Sequence, residues 1–265
     1  NITFWLIGIV QFAMQFLIFY FTFKYRGKKE NKAKFYSDSH QLEMIWTLVP
    51  TVVLVGLIGY GLWQWNNIMD LSDDENPVVI EVYSQQFRWD ARYAGEDNTL
   101  GLGNVNYIKG INTMGVDMSD KNSQDDKQVT ELYLPKGKKI HFKFRSQDVL
   151  HSAYMPHFRA QMNCVPGMVT EFSFIPTMTT AEMRKDEKIV AKVKRINAIR
   201  AERRKAGEDL DEADYEFDYL LLCNKICGKS HYNMQMKIVV DTPEDYAIWM
   251  KTQQKAKDII TVAAN

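Results

Sequence analysis

Residues 2–23 (ITFWLIGIVQFAMQFLIFYFTF) carry no charged side chain, and neither do residues 44–65 (MIWTLVPTVVLVGLIGYGLWQW). A hydrocarbon core about 30 Å thick is crossed by roughly 20 such residues in a helix, so the two runs predict a pair of membrane spans. The first run is too long for a signal peptide and a second follows it, which argues against cleavage. Pro50 falls inside the second run; a lipid-embedded helix tolerates it when neighbours re-satisfy the freed carbonyl. Tyr20, Tyr25, Trp46, Trp63 and Trp65 lie near the ends, where amphipathic rings favour the interface. Between the spans, Lys24, Arg26, Lys28, Lys29, Lys32 and Lys34 outnumber Glu30 and Asp38, and short loops of that kind stay on the cytoplasmic side. Everything after residue 65 is therefore expected on the outer, oxidising face, where free thiols need protection.

Beyond a polar break at 70–75, short runs rich in β-branched and aromatic residues alternate with turn signals such as Pro135-Lys136-Gly137 and Pro166-Gly167. Strands are predicted over 78–83, 87–93, 129–134, 139–144, 149–154, 168–174, 219–222 and 237–240, with 101–126 as loop. Many short, punctuated strands predict a β-sandwich or small barrel. Thr179 and Glu182 have capping-box spacing ahead of a helical run ending near Gly207. That run is strongly basic, and an acidic tract follows it, including Glu208, Asp209, Asp211, Glu212 and Asp214. Thr242-Pro243-Glu244 opens a C-terminal helix. The expected organisation is a hairpin over 1–68, a β domain over 69–242 with a helical insertion at about 179–214, and a helix over 243–265. The 33 basic residues balance 33 acidic ones, which argues against a nucleic-acid partner.

The densest chemistry is Cys223-Asn-Lys-Ile-Cys227-Gly-Lys-Ser-His231-Tyr-Asn-Met234. Two thiolates, an imidazole and a thioether form a soft ligand set that suits copper better than zinc. His151, at a strand end in Ser146-Gln-Asp-Val-Leu-His151-Ser, is a further candidate. One Cys, two His and a weak Met would make a blue-copper site. The second cysteine, four residues from the first, points instead to two copper ions bridged by both thiolates and capped by His151 and His231. Cys164 reads as a small buried hydrophobe, and His157 has no clear partner.

These residues resemble subunit II of cytochrome c oxidase, the heme–copper respiratory oxidase. The motifs are Leu42-Glu43-x-x-Trp46-Thr47-x-x-Pro50, Gln86-Phe87-x-Trp89-x-x-x-Tyr93, the His151 segment, Val165-Pro166-Gly167 and Cys-x3-Cys-x3-His-x2-Met. The resemblance implies a two-helix transmembrane hairpin followed by an all-β cupredoxin-like domain, a Greek-key β-barrel, here with an inserted charged helical segment. It implies a binuclear copper A centre held by His151, Cys223, the backbone carbonyl of Lys225, Cys227, His231 and Met234. Electrons would come from a cytochrome c, soluble or tethered, and pass to heme in subunit I, where heme and copper B reduce oxygen and protons are pumped. The exposed ring where electrons enter would be Phe87, shared with Trp89 or Tyr93, and Glu43 would stand at the mouth of the proton channel. A bacterial inner membrane, with the copper domain on its periplasmic face, is the expected location.

Several positions depart from the family pattern. Lys225 stands where a glutamate usually helps hold magnesium, and an ammonium has no lone pair for a cation. Phe87 replaces a tryptophan, and Asn163 an acidic residue. The 179–214 insertion suggests added contacts, such as a quinol-oxidising complex carrying its own cytochrome c. Acidic residues crowd 70–126, which would steer a basic cytochrome c towards Trp89. Two other readings stay open at this point: a nitric oxide reductase subunit with the same copper site, and a membrane-tethered copper carrier. Soluble nitrous oxide reductases lack the hairpin, and quinol oxidases lack the copper ligands.

Overall fold

The computed structural model describes residues 2–29, 32, 35–70, 76–208 and 213–262. Glu30, Lys34, most of the polar break at 70–75, the acidic residues Asp209, Asp211 and Glu212, and residues 263–265 lie outside the described residues. The chain divides into two compact units, 1–62 and 63–265.

The apolar runs form helices α1 (Ile2–Lys24) and α2 (His40–Met69), and none of their described residues is buried. Such a surface has no favourable exposure to water, and both helices are long enough and apolar enough to cross a bilayer. Pro50 sits inside α2.

The second unit is built on two five-stranded sheets. One has the order β3 (Lys127–Val129), β2 (Arg88–Tyr93), β1 (Val78–Gln85), β5 (Ile140–Ser146), β8 (Thr170–Phe174). The other has the order β4 (Leu132–Pro135), β10 (Gln235–Asp241), β9 (Tyr219–Cys223), β6 (His151–Met155), β7 (Ala160–Cys164). β1 and β5 run parallel, as do β4 and β10, and the other pairs are antiparallel. Alternation sets the core: in β5, Ile140, Phe142 and Phe144 are buried while His141, Lys143 and Arg145 are not. They meet Ile80, Val82 and Trp89 of their own sheet and Leu132, Ala153, Leu221 and Ile238 of the other. Each such side chain stabilises the fold by about 1.5–3 kcal/mol relative to exposure. This is a cupredoxin-like sandwich.

Four expectations need correction. The run 129–134 is divided, because β3 ends at Val129 and β4 begins at Leu132 in the other sheet. β7 has no strong strand signal, being the half-polar AQMNC, yet pairs along its whole length with β6. The helical run breaks into α3 (Thr180–Met183), with the Thr179–Glu182 capping box formed, and α4 (Glu187–Lys205), which restarts because the Asp186 carboxylate accepts the Lys188 and Ile189 N–H groups. The C-terminal helix is likewise two, α5 (Pro243–Thr252) and α6 (Ala256–Val262). The insertion is no loose appendage: the Val240 N–H donates to Thr180 Oγ1 at 2.9 Å, and Ile189 joins the core.

The loop 101–126 covers the outer face of the first sheet. Arg92, 1 % exposed, bonds Glu81, Asp126 and the Gly101 carbonyl, while Arg145 bonds the other Glu81 oxygen at 2.8 Å. Two arginines against two carboxylates leave this interior layer neutral, which a buried cluster needs. Burial pushes the Asp126 carboxyl up to about 6 despite Arg92. Burial also works to raise Glu81, but its two guanidinium partners outweigh it and hold that carboxyl below its usual range.

Candidate metal centre

β9 ends on Cys223 and β10 begins at Gln235, so the connection between two paired strands carries the whole spaced motif. The Cys223 N–H donates to the Met234 carbonyl at 3.0 Å and closes the neck of the loop. Inside it, His231 N–H donates to Gly228 O and Met234 N–H to His231 O, a tight turn that folds His231 and Met234 back over Cys227. β6 pairs with β9, placing Ala153 opposite Cys223 and bringing His151, first residue of β6, beside that cysteine.

The donor atoms form a chain. His151 Nδ1 lies 3.8 Å from Cys223 Sγ, the two sulfurs are 3.8 Å apart, and His231 Nδ1 lies 3.6 Å from Cys227 Sγ. Two further donors flank the ends: the Lys225 carbonyl oxygen is 3.2 Å from Cys223 Sγ, and Met234 Sδ is 3.8 Å from Cys227 Sγ. The ligand atoms of His151, Cys223 and Cys227 all fall within 4.8 Å of one another. His151 is fully buried, and Cys227 and Met234 nearly so. Metal–thiolate bonds of about 2.3 Å can span sulfurs at this separation, so the residues fit a pair of soft metal ions bridged by both cysteines. Burial, then the neighbouring Cys223 sulfur, pushes the Cys227 thiol up to about 11 without metal.

Two residues that sequence reasoning passed over support this set. Asp148 Oδ1 lies 2.8 Å from His151 Nε2, and its other oxygen accepts the Gln86 N–H at 2.7 Å. Burial works to raise the Asp148 carboxyl, but these hydrogen bonds and that of the Val149 N–H hold it below its ordinary value. A carboxylate on one ring nitrogen fixes the tautomer and leaves the other free to ligate. The signal was present, since Asp148 stands three residues before His151. Gln86, in the turn between β1 and β2, donates its side-chain N–H to the Cys227 carbonyl at 2.5 Å.

The remaining candidates are dispersed. Phe87 is half-buried, with its ring against Gly228: a Cβ there would meet Phe87 Cζ at 2.7 Å, and the Gly228 φ of +143° also suits glycine. Trp89 is 4 % exposed; its Nε1 lies 3.4 Å from the Met234 carbonyl and its ring centroid 6.2 Å from that of His151. Tyr93 has no accessible surface, and its hydroxyl donates to the Tyr133 carbonyl, so it is core rather than rim. The Lys225 side chain is exposed. Glu43 lies in the first turn of α2. Cys164 is fully buried, opposite His151 in the β6–β7 register, and burial pushes its thiol up to about 12. Asn163 is exposed, its carbonyl accepting from Thr170. Of the described acidic residues of 70–126, six are not free to form a field at Trp89. Glu81, Asp90 and Asp126 are buried, and the backbone N–H of Glu96 and Asp97 bonds Asp125 beyond Tyr93, at the opposite end of β2 from the metal loop.

Residues 1–62 match the family described as cytochrome c oxidase subunit II, transmembrane domain. Across 257 residues the chain is 32 % identical to the alternative cytochrome c oxidase subunit 2 of Bradyrhizobium diazoefficiens, covering 96 % of this chain and 78 % of that one. It is 22 % identical over 260 residues to cytochrome c oxidase subunit 2 of Cereibacter sphaeroides, covering 93 % and 72 %. Among solved structures, the periplasmic domain of subunit II from Bradyrhizobium japonicum is 19 % identical and covers 68 % of this chain and 94 % of its own, with a TM-score of 0.40. The chain belongs to the cytochrome c oxidase subunit II family. It is a membrane-anchored member of that family, with a cupredoxin-like domain following its two spans.

Proposed function

We propose that this chain is the electron-transfer subunit of a proton-pumping cytochrome c oxidase and holds a binuclear copper A centre. The observation that carries the reading is the pair of cysteine sulfurs 3.8 Å apart, each flanked by its own imidazole. Cys223 works with His151 and the Lys225 carbonyl, and Cys227 with His231 and Met234. When bound, two copper ions supply one-electron transfer with the charge shared between them. The protein's part is to hold the donors still: His151 is fixed by Asp148, and three of the ligands are buried. A cage that changes little between oxidation states lowers the cost of moving an electron. A carrier would need exchangeable donors, which that burial opposes.

Electrons would arrive from a cytochrome c near Phe87 and leave for heme in subunit I, where oxygen is reduced. Trp89 supports that path from beneath, with its indole N–H aimed at the Met234 carbonyl; Tyr93, without surface, has no part in the arrival. Ile226 and Tyr232, each 88 % exposed beside the ligands, offer apolar surface for a partner subunit. Lys225 ligates no magnesium, for want of a lone pair. Glu43 serves proton uptake into subunit I, and unchanged turnover in Glu43→Ala would remove that role. The protein resides in a bacterial inner membrane. The insertion docks a quinol-oxidising complex through the outward face of α4, where Lys188, Lys192 and Arg195 are exposed at helical spacing. Because α3 is bonded into the fold, charge reversal of those three residues is a cleaner test than deletion. Unaltered co-migration with such a complex on native gels would defeat it.

The copper assignment is tested by metal content and electron paramagnetic resonance of the purified, copper-loaded chain. About two copper ions per chain and hyperfine structure from an electron shared by two nuclei are expected. One copper per chain, or a single-nucleus spectrum, refutes it.

A further inference from the structure

We infer that Gln86 is a positioning residue that ties the two halves of the metal centre together from the opposite sheet. The ligands belong to the second sheet and its β9–β10 connection, whereas Gln86 lies in the β1–β2 turn of the first. From that turn it makes two bonds of different kinds. Its backbone N–H donates to Asp148 Oδ2 at 2.7 Å, and Asp148 Oδ1 meets His151 Nε2 at 2.8 Å, so this arm reaches the Cys223 half. Its side-chain Nε2 donates to the Cys227 carbonyl at 2.5 Å and reaches the Cys227 half.

Gln86 itself is held in place. Ser84 and Gln85 pair with Trp89 and Arg88 on either side of the turn, and the Gln147 N–H donates to the Ser84 carbonyl at 2.9 Å. The Phe87 ring fills the space beside Gly228, so the turn is packed as well as bonded against the ligand loop. Nothing else in the described residues donates to the Cys227 carbonyl. A carbonyl on the ligand loop loses its fixed direction if that donor goes, and with it the Cys227–Gly228 peptide can rotate. The Cys227 sulfur would hold metal jointly with Cys223, 3.8 Å away, so a rotation that turned Cys227 from its partner would loosen the site. Gln86 thus acts on retention and symmetry of the metal pair without touching the metal. The inference rests on the proposed copper centre for its spectroscopic consequence only; the restraint on the loop exists in the metal-free chain.

The test separates donation from packing with two substitutions in the full-length, detergent-solubilised chain. Gln86→Glu keeps the shape but replaces the donor by a carboxylate facing a carbonyl. Gln86→Lys changes the shape but keeps a donor of sufficient reach. Neither alters the backbone arm to Asp148. A lost hydrogen bond corresponds to about a tenfold effect at most, so Gln86→Glu should speed exchange of the His231 amide, which donates to the Gly228 carbonyl, in the metal-free chain by about five- to tenfold. Copper release to a chelator should speed similarly, with unequal hyperfine coupling at the two nuclei, while Gln86→Lys stays within about twofold of the parent on both rates. Unchanged amide exchange in Gln86→Glu overturns the inference, as does equal acceleration in both variants, which would mean packing alone. If the parent chain binds no copper, the exchange measurement still decides on Gln86, and the failure belongs to the proposed function.

Discussion

His151 shows how much one residue depends on its neighbours. Its ring has one nitrogen turned to Cys223 and the other to Asp148. The carboxylate keeps the proton on Nε2 and leaves Nδ1 with its lone pair, which the donor geometry requires. Asp148→Asn retains size but loses the charge, and its amide can present a donor to Nε2 and favour the wrong tautomer. Copper affinity measured by chelator competition is expected to fall about 10- to 100-fold, the range seen when such outer partners of ligating histidines are removed. An affinity unchanged by the substitution would mean that burial alone orients the ring. The proposed ligands of the β9–β10 connection stand out in the sequence because two thiols, an imidazole and a thioether share one short stretch, whereas His151 is brought to them from β6 by strand pairing. Asp148 left a trace, three residues before His151, but its bond and that of Gln86 were not legible, because a carboxylate or amide in a loop has no periodicity and its value depends on which strands the topology brings together.

Among elements, the loop 101–126 is fastened to the first sheet by the neutral cluster of Arg92, Arg145, Glu81 and Asp126. The Asp126 carboxyl, raised to about 6 by burial, holds its proton more tightly folded than unfolded. Its contribution to stability is therefore fully present below about pH 4 and is lost as pH rises through about 6. Glu81, held below its usual range, works in the opposite sense: its contribution is present above about 4.5 and lost only in stronger acid. Between about pH 4.5 and 7 the Asp126 effect is thus separated from that of Glu81, and comparison with the parent removes what His157 and Asp241 contribute to both chains. Thermal melts of the full chain should show Asp126→Asn near the parent at the acid end and increasingly more stable than it towards neutrality. A difference that shrank with pH would show that the Arg92 pairing outweighs burial. Strands such as β5 were legible because alternation sets one face against the core. β7 was missed because its outward residues are polar and only its pairing with β6 makes it a strand. The break between α3 and α4 was missed because its cause is a capping carboxylate, Asp186, set within a charged run.

For the whole molecule, equal numbers of acidic and basic residues conceal a segregation that bears on how an electron donor approaches. A sequence count over 70–126 suggested an acidic field at the aromatic patch, but folding removes Glu81, Asp90 and Asp126 into the interior and sends Glu96, Asp97 and Asp125 beyond Tyr93. Phe87 instead has Arg88 beside it in sequence, and the glycine under its ring is followed by Lys229; both basic residues are exposed. Arg88 is partly compensated by Asp90 at 3.0 Å, and Lys229 has no carboxylate partner among the described residues. Among the described residues the exposed charges beside Phe87 are mainly basic, with the part-exposed Asp148 opposing them, so the approach of a strongly basic cytochrome c should not be accelerated by the long-range steering that complementary patches give. Raising ionic strength from about 0.01 M to about 0.15 M shortens the screening length from about 30 Å to about 8 Å. Turnover of the intact oxidase with such a donor should stay level or rise over that range, and a donor with an acidic docking face should lose rate instead. A loss of about tenfold or more with the basic donor would be the signature of complementary steering, and would locate the docking surface away from Phe87.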